Sequence, residues 1–530
     1  MRKRIRMCEL TKSSLTALLL GLLAAAAARG ADPVKVSPET MKVMGTVDPR
    51  YQSYNIEMVE VTGGRFWAPY GKAEAAAVPT ARPTGGGAPG LDPRLFLQRP
   101  PIDLRNARLR KLAGSLGPAY VRVSGIWANS TYFHDSDDPP PAAPPAGFGG
   151  VLTRSQWRGV VDFSRLADAR IVTSFAISPG VRDASGVWTP AEARKLVAFT
   201  RSIGGEIAAA EMFNEPNFAA MGGAPKGYDA AAYGKDFAVF LAFARKNLPA
   251  MMILGPGSVG EGGMASSWNS IRTSDLMAAS GRGLDAFSYH FYGAVSKRCA
   301  ILAAAPQSSP ETALSEEWLS RTEREEAFYR ALRDQYEPGK PMWITETAET
   351  ACGGNLWASS FLDSFRYLDQ LGRLARRGVQ VVAHNTLAAS DYGLIDEESM
   401  TPRPNYWAAL LWRRLMDRRV LDPGAVPAGG LHLYAHCLRD HPGGVALLAI
   451  NTSRDAAQEL DLPGSSERYT LTAPDLLGTR ADLNGRELKL QEKDELPSIE
   501  GSRTSAGRVR VEPASISFFA LPSAGNAGCR

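Results

Sequence analysis

The sequence predicts an α/β chain, a (β/α)8 TIM barrel followed by a C-terminal β-sandwich, on three observations. Eight short apolar runs rich in β-branched residues recur between residues 51 and 417. Segments with helical spacing alternate with them. Beyond residue 417 the texture changes to short, closely spaced strands and turns, as in a sandwich. A chain of 530 residues with 44% apolar and 22% charged residues has the material for two domains, since single cores stop growing near ~250–300 residues.

Residues 1–30 read as a secretory signal peptide. Arg2, Lys3, Arg4, Arg6 and Lys12 precede or flank the apolar run LTALLLGLLAAAAA, and small residues follow to Gly30-Ala31. That run is shorter than the ~20 residues a membrane-crossing helix needs, so the mature protein is expected to be secreted or periplasmic, with no membrane insertion after signal removal. Cys8 precedes the apolar run, the wrong side for a lipid anchor. Six basic residues against Glu9 in this segment account for the whole formal charge of +5 and leave the mature chain near neutral. Bulk charge therefore gives no reason to expect nucleic acid as a partner. The local clusters RNARLRK (105–111) and RRLMDRR (413–419) read as solvated helix faces. Nothing in the sequence indicates an oligomeric state.

In chain order, the barrel strands are expected at YNIEMVEV (54–61), YVRVSG (120–125), RIVTSFAIS (170–178) and AAAEMFNE (208–215). MMILGPG (251–257), DAFSYHFYG (285–293), PMWITET (341–347) and VQVVAHNTL (379–387) complete the set. Among the helices, TPAEARKLVAFTRSIG offers Thr189 as N-cap, Pro190 in the first turn and Gly204 at the stop. AAAYGKDFAVFLAFARKNL and SSFLDSFRYLDQLGRLARRG are equally periodic, and NYWAALLWRRLMDRR (405–419) closes the barrel, which spans 51–417. The sandwich, 418–530, is expected to use LHLYAHCL, GVALLAIN, RYTLTA, ELKLQ and ISFFAL. Residues 31–50, with VKVSPETMKV, are a candidate additional strand. Two Pro/Gly/Ala-rich stretches, 63–101 and 134–150, fall in βα loops, where barrel enzymes build their sites, and are expected to wall a cleft. The plain alternative is a surface insertion.

The chemistry is expected from two glutamates. Glu215, in AEMFNEPNF, ends the fourth expected strand, and Glu346, in PMWITETAE, ends the seventh, so both face the same end of the barrel. Retaining glycosidases use such a pair ~5–5.5 Å apart, one carboxylic acid protonating the leaving oxygen and one carboxylate attacking the anomeric carbon. Asn214 could hold a sugar hydroxyl, and Pro216 fixes the turn. Glu349 competes with Glu346 for the nucleophile role but falls three residues further into the loop. His290 and Tyr292, in SYHFYG, end the sixth strand beside the nucleophile as candidate substrate contacts. Trp343 is expected in the core, turned away from Glu346 by strand alternation. The four cysteines left after signal removal, Cys299, Cys352, Cys437 and Cys529, suit up to two disulfides in any of three connectivities. No CxxC or His-rich spacing suggests a metal, and no cofactor is called for.

Taken together, LDPRLFLQ, LRNARLRKLAGSLGPAYVRVSG, NEPNF, WITET, ACGG, LDQLGRLARRGVQVV and DYGLIDEESMTPRPNYWAALLWRRL follow one family's order and spacing. The chain resembles heparanase and the related β-glucuronidases of glycoside hydrolase family 79 over nearly all its mature length. The resemblance implies retaining cleavage of β-linked glucuronic acid, with a glucuronic-acid-containing glycan as the partner. It implies Glu215 as acid/base, Glu346 as nucleophile, Asn214 beside the acid, and Gly353, Gly354 and Tyr392 as holders of the uronate carboxylate. Backbone N–H groups of a Gly-Gly turn plus a tyrosine hydroxyl suit that anion on physical grounds. YAHC and Cys529 match the family's sandwich disulfide, Cys437 with Cys529, which leaves Cys299 with Cys352. Departures are Glu57 where the family pattern has aspartate, SGIW (124–127) in place of Gly-Gly-Thr, Cys352 in place of an aromatic, and one extra residue in the loop after Glu346. Terminal trimming and internal cutting both fit. The rival readings are a barrel glycosidase for neutral sugars and a non-catalytic carbohydrate-binding barrel.

Overall fold

The computed structural model describes residues 32–70, 93–302, 307–424 and 429–530. The signal segment 1–30 and residues 71–92 of the first long loop lie outside the described residues.

Eight parallel strands close into a barrel: β1 (Gln52–Glu57), β2 (Ala119–Ser124), β3 (Ala169–Thr173), β4 (Ile207–Glu211), β5 (Met252–Val259), β6 (Ala286–Tyr292), β7 (Met342–Ala348) and β8 (Val379–His384). Each is buried on both faces, which is why they read as near-continuous apolar runs rather than alternating ones. The interior fills in layers. Tyr120, Val172, Leu254, Trp343 and Val381 form the apolar layer at the N-terminal end of the strands. Above it the apolar fill gives way to Arg122, Glu211, Ser288 and Thr345, all buried. A barrel floor of charge and hydroxyl is costly in a core and marks the end where the site lies.

Several boundaries differ from the expected ones. The strand expected to run to Val61 stops at Glu57, where the chain turns into a short helix, Met58–Thr62. The cause is a capping box: the Glu60 carboxylate accepts the Glu57 N–H at 2.7 Å. β4 stops at Glu211, so Glu215 lies beyond the strand and not at its tip. The Thr189 hydroxyl bonds the Val181 carbonyl instead of capping the helix Ala191–Ser202, whose N-cap position Pro190 occupies. The last barrel helix, Pro404–Leu415, ends early and Met416–Leu421 becomes a strand, which removes Arg418 and Arg419 from any helix face. That strand pairs with Val43–Thr46 on one side and Leu431–Leu438 on the other, so sheet completion outweighs the helical pattern. Of ELKLQ only Glu487 enters a strand, the two-residue Arg486–Glu487.

The C-terminal region is β-rich. A nine-stranded sheet includes Leu431–Leu438, Val445–Asn451, Ser466–Thr472 and Ser515–Leu521. A three-stranded sheet joins Val34–Lys35, Gln458–Leu462 and Gly507–Val511. Leu433, Leu447 and Phe519 of the first meet Leu460, Val509 and Val511 of the second in one apolar core. Residues 31–50 thus provide two strands, Val34–Lys35 and Val43–Thr46, one to each sheet. Cys437 and Cys529 are bonded at 2.03 Å, closing this region near the chain end.

The helix Phe361–Arg376 is buried from Phe361 to Ala375 because the β-rich region covers its outer side. Tyr434 lies directly on Gly372, where an added Cβ would meet its ring at 2.3 Å. Asp369 accepts the Tyr434 hydroxyl and faces His432 Nδ1, each at 2.6 Å. On its inner side Gln370 donates to the Thr347 hydroxyl of β7 at 3.1 Å. The β-rich region thereby braces the strand that carries Glu346.

Candidate active site

Glu346 reaches the barrel interior through a break in strand alternation. Across β6 and β7, Tyr289 stands opposite Ile344 and His290 opposite Glu346, so one residue of β7 is extra. At this bulge both Thr345 and Glu346 turn inward: the Thr345 hydroxyl donates to Glu211 Oε1 at 2.6 Å, and Glu346 accepts from Arg122 at 2.8 Å. Trp343 is core, but for a different reason from the one alternation suggested. It points into the barrel on the same side as Glu346 and packs on Tyr120, ring centroids 4.8 Å apart.

Glu215 arrives by another irregularity. It has a left-handed φ of +51° and precedes the turn Pro216–Phe218. A non-glycine residue there costs roughly 1–2 kcal/mol, which the surroundings must offset. Asn129 does so by clamping the preceding peptide: its side chain donates to the Asn214 carbonyl at 2.9 Å and accepts the Asn214 N–H at 2.8 Å. The Glu215 carboxylate then meets His290 Nδ1 at 3.0 Å. One oxygen each of Glu215 and Glu346 and a His290 nitrogen lie within 4.8 Å of one another. These are also the three residues among the described ones grouped closely enough to ligate a cation.

Arg122 is the hub beneath both glutamates. Its guanidinium donates to Glu346 Oε2 at 2.8 Å, to Asn214 Oδ1 at 2.7 Å and to Glu211 Oε2 at 2.9 and 3.2 Å, and it lies 3.2 Å from His290 Nε2. Ser288 completes Glu211 with a bond of 2.8 Å. Tyr292 donates to Glu346 Oε1 at 2.6 Å, and Asn385 donates in turn to Tyr292 at 3.1 Å and Tyr392 at 3.2 Å. Neither carboxylate oxygen of Glu346 is left to choose its own orientation.

The electrostatics separates the two glutamates. Burial opposes ionisation of Glu346, but His290, Arg122 and the Tyr292 hydroxyl outweigh it and hold the carboxyl below its ordinary value. Burial and the charge of Glu346 raise Glu215, against the pull of His290 and Arg122. Burial also disfavours a charged His290, yet Glu346, Glu211 and Glu215 carry its imidazole up to about 9. Glu211 is held well below the carboxylate range by Arg122, against its burial. Replacing Tyr292 by phenylalanine removes a hydrogen bond to an ionised group, normally worth ~1.5–3 kcal/mol. The expected outcome in steady-state kinetics is a loss of about 10–100-fold in kcat/KM. The acid limb of the pH profile moves upward, because Tyr292 lowers Glu346.

The remaining sequence-nominated residues divide. Glu57 lines the cavity, and burial and Glu346 hold its carboxyl protonated well above the usual range. It fits only because residue 125 is glycine, where an added Cβ would fall 1.5 Å from Glu57 Oε2. Gly353 and Gly354 have φ of +81° and +83°. Their carbonyls are anchored by Ser390 at 3.0 Å and Ser296 at 2.8 Å. Among the described residues no acceptor is paired with either glycine N–H. Cys299 and Cys352 are disulfide-bonded, tying the segment after β6 to this turn. Tyr392 lines the cavity beside Tyr292 and Asn385. Glu349 is not in the site: it is fully buried and bonded to Ser308, Thr350 and Asn355.

The cavity over these groups measures about 150 Å³. Phe66, Trp67 and Phe96 from the first long loop line it, as does Trp127, but no residue of 134–150 does, so that second loop is not a cavity wall. Sequence reasoning missed Arg122, Glu211, Asn129 and Asn385. Arg122 and Glu211 did carry a signal, since each is a lone charge inside an otherwise apolar strand, YVRVSG and AAAEMF.

Residues 145–372 match the family model "Glycosyl hydrolase family 79, N-terminal domain". The chain is 26% identical over 483 residues to heparanase-like protein 1 of Arabidopsis thaliana, covering 81% of this chain and 86% of the plant protein. It is 30% identical over 278 residues to heparanase of Gallus gallus, covering 48% of this chain and 50% of the bird protein. A solved structure of a 4-O-α-L-rhamnosyl-β-D-glucuronidase from Fusarium oxysporum superposes with a TM-score of 0.60 at 14% identity, over 92% of this chain and 99% of that one. At that identity the likeness is one of fold.

Proposed function

The chain belongs to glycoside hydrolase family 79, the family of heparanase and β-glucuronidases, and from that premise we propose that it is a retaining glycosidase cleaving β-linked glucuronic acid. The observation that carries the mechanism is the pair Glu215 and Glu346, within 4.8 Å of each other and with their protonation pushed in opposite directions. That proximity suits the close pair of a retaining enzyme, in which one carboxylate attacks the anomeric carbon directly, better than the wider pair of an inverting one.

In this reading Glu346, ionised and aimed by Arg122 and Tyr292, attacks C1 while Glu215 gives its proton to the leaving oxygen. The glucuronyl ester formed on Glu346 cancels that residue's charge. Since that charge is one cause of the raised Glu215, Glu215 becomes more acidic and can take the proton of the incoming water. Water then breaks the ester and releases glucuronate with its β configuration retained. In this reading Asn214, held by Arg122, and Glu57, both in the cavity lining, bind ring hydroxyls. We assign receipt of the uronate carboxylate to the N–H groups of Gly353 and Gly354, which follow the cavity-lining Cys352, together with the Tyr392 hydroxyl. Residues 51–417 form the catalytic barrel and 418–530 a supporting β-sandwich. The two disulfides favour a mature protein that works outside the cytoplasm.

The test is hydrolysis of 4-nitrophenyl β-D-glucuronide beside the matching β-glucoside and β-xyloside. A charged group received by several donors should favour the glucuronide by at least ~100-fold in kcat/KM. Equal or better cleavage of a neutral glycoside would remove the uronate assignment of Gly353 and Gly354 while leaving the carboxylate pair intact.

A further inference from the structure

The cavity lining has a polar and an apolar part. Its polar lining, from Glu57, Asn214, Tyr292, Glu346, Asn385 and Tyr392, surrounds the place of the sugar. The apolar part of the lining includes Phe218 and Met221, which follow the acid Glu215 in the chain, and Met264 and Trp268 from the loop after β5. Phe218 and Trp268 meet edge to face with ring centroids 5.5 Å apart. Phe66 and Trp127, also in the lining, form a second such pair at 5.0 Å. Among the described lining residues there is no lysine, arginine or histidine.

Because Glu215 protonates the leaving oxygen, the group that departs must lie against Glu215, and Phe218, whose N–H bonds the Glu215 carbonyl at 2.9 Å, puts this apolar lining beside it. A sulfated or carboxylated sugar there would bring charge into an apolar slot with no described cation to meet it, which costs more than it returns. An apolar ring would replace water on that lining and gain contact area. Methionines at positions 221 and 264 add a flexible surface that fits rings of different outline. The Trp268 Nε1 hydrogen is buried without a partner, so the indole presents its ring rather than a charge to this lining.

We infer that the leaving-group site takes an uncharged, apolar and preferably cyclic aglycone, so that the substrate is a hydrophobic O-glucuronide rather than a sulfated polysaccharide. The inference rests on the glucuronidase reading above. The bond between C1 and the aglycone oxygen breaks, that oxygen leaves as the alcohol or phenol with the proton of Glu215, and water supplies the replacement oxygen on glucuronate.

The experiment compares methyl and cyclohexylmethyl β-D-glucuronide, whose leaving alcohols have similar acidity, with a sulfated glucuronyl-glucosamine oligosaccharide, using the purified mature chain. The expected result is a ~10–100-fold higher kcat/KM for cyclohexylmethyl than for methyl. That ratio should fall about tenfold in Trp268→Ala and be largely kept in Trp268→Phe. The oligosaccharide should be the poorest of the three. A flat ratio in the unmodified enzyme, or preference for the sulfated oligosaccharide, overturns the inference while sparing the glucuronidase reading. Cleavage of none of the glucuronides alongside cleavage of a β-glucoside overturns the reading itself, and this inference with it.

Discussion

Replacing Glu346 by alanine is expected to lower kcat/KM for an aryl β-glucuronide by at least ~10⁴-fold, because the residue makes the covalent bond that divides the reaction into two easier steps. The shortened side chain leaves a space where the carboxylate stood. Added azide should enter it and restore turnover, attacking C1 from the face opposite the aglycone and giving the α-glucuronyl azide. Identification of the product anomer by NMR makes the result specific, since a merely misfolded enzyme would not be rescued. Arg122 keeps Glu211 as its counter-ion in this variant, at 2.9 Å, so the charge left behind is not stranded. Unchanged turnover in the variant would place the chain among carbohydrate-binding barrels or move the nucleophile elsewhere.

Glu215→Gln is expected to show the complementary pattern. Loss of proton donation costs ~10²–10⁴-fold for an alkyl or sugar leaving group but much less for dinitrophenolate, which leaves without help. The pH profile gives an independent reading of the same residue. In the unmodified enzyme the rate should be bell-shaped. It falls toward low pH as the lowered Glu346 is protonated, and toward high pH as the raised Glu215 loses its proton. The basic limb should vanish in Glu215→Gln on the activated substrate, while the acid limb stays. A basic limb that persists in the variant would assign it to His290, which titrates at about 9.

Much of the barrel was legible in the sequence because each of its strands is buried on both faces and therefore announces itself as an apolar run. The two glutamates were legible because each stands in or just after such a run, although Glu215 lies beyond its strand and Glu346 inside one. What escaped depends on partners distant in the chain. The bulge that turns Glu346 inward comes from the register of β7 against β6, and sequence alternation on its own pointed Trp343 the wrong way. The left-handed Glu215 is held by Asn129, a residue 86 positions earlier with no motif around it. Arg122 and Glu211 needed the closed barrel to bring β2 and β4 into ion-pairing distance, although each stood out as a charge in an apolar strand. Met416–Leu421 kept its helical pattern in sequence and lost it to a sheet edge supplied by residues near the N-terminus.

The central claim is that a glucuronyl ester forms on Glu346 and is then hydrolysed. Incubation with 2-deoxy-2-fluoro-β-D-glucuronyl fluoride, followed by peptide mass spectrometry, tests it directly, since the fluorine slows hydrolysis of the ester enough for it to accumulate. The account predicts a single added fluoroglucuronyl group on the peptide carrying Glu346, with activity lost in step and protected by a competing glucuronide. Label on Glu349 or another residue, or an unlabelled enzyme that releases α-glucuronate from a β-glucuronide, would contradict it.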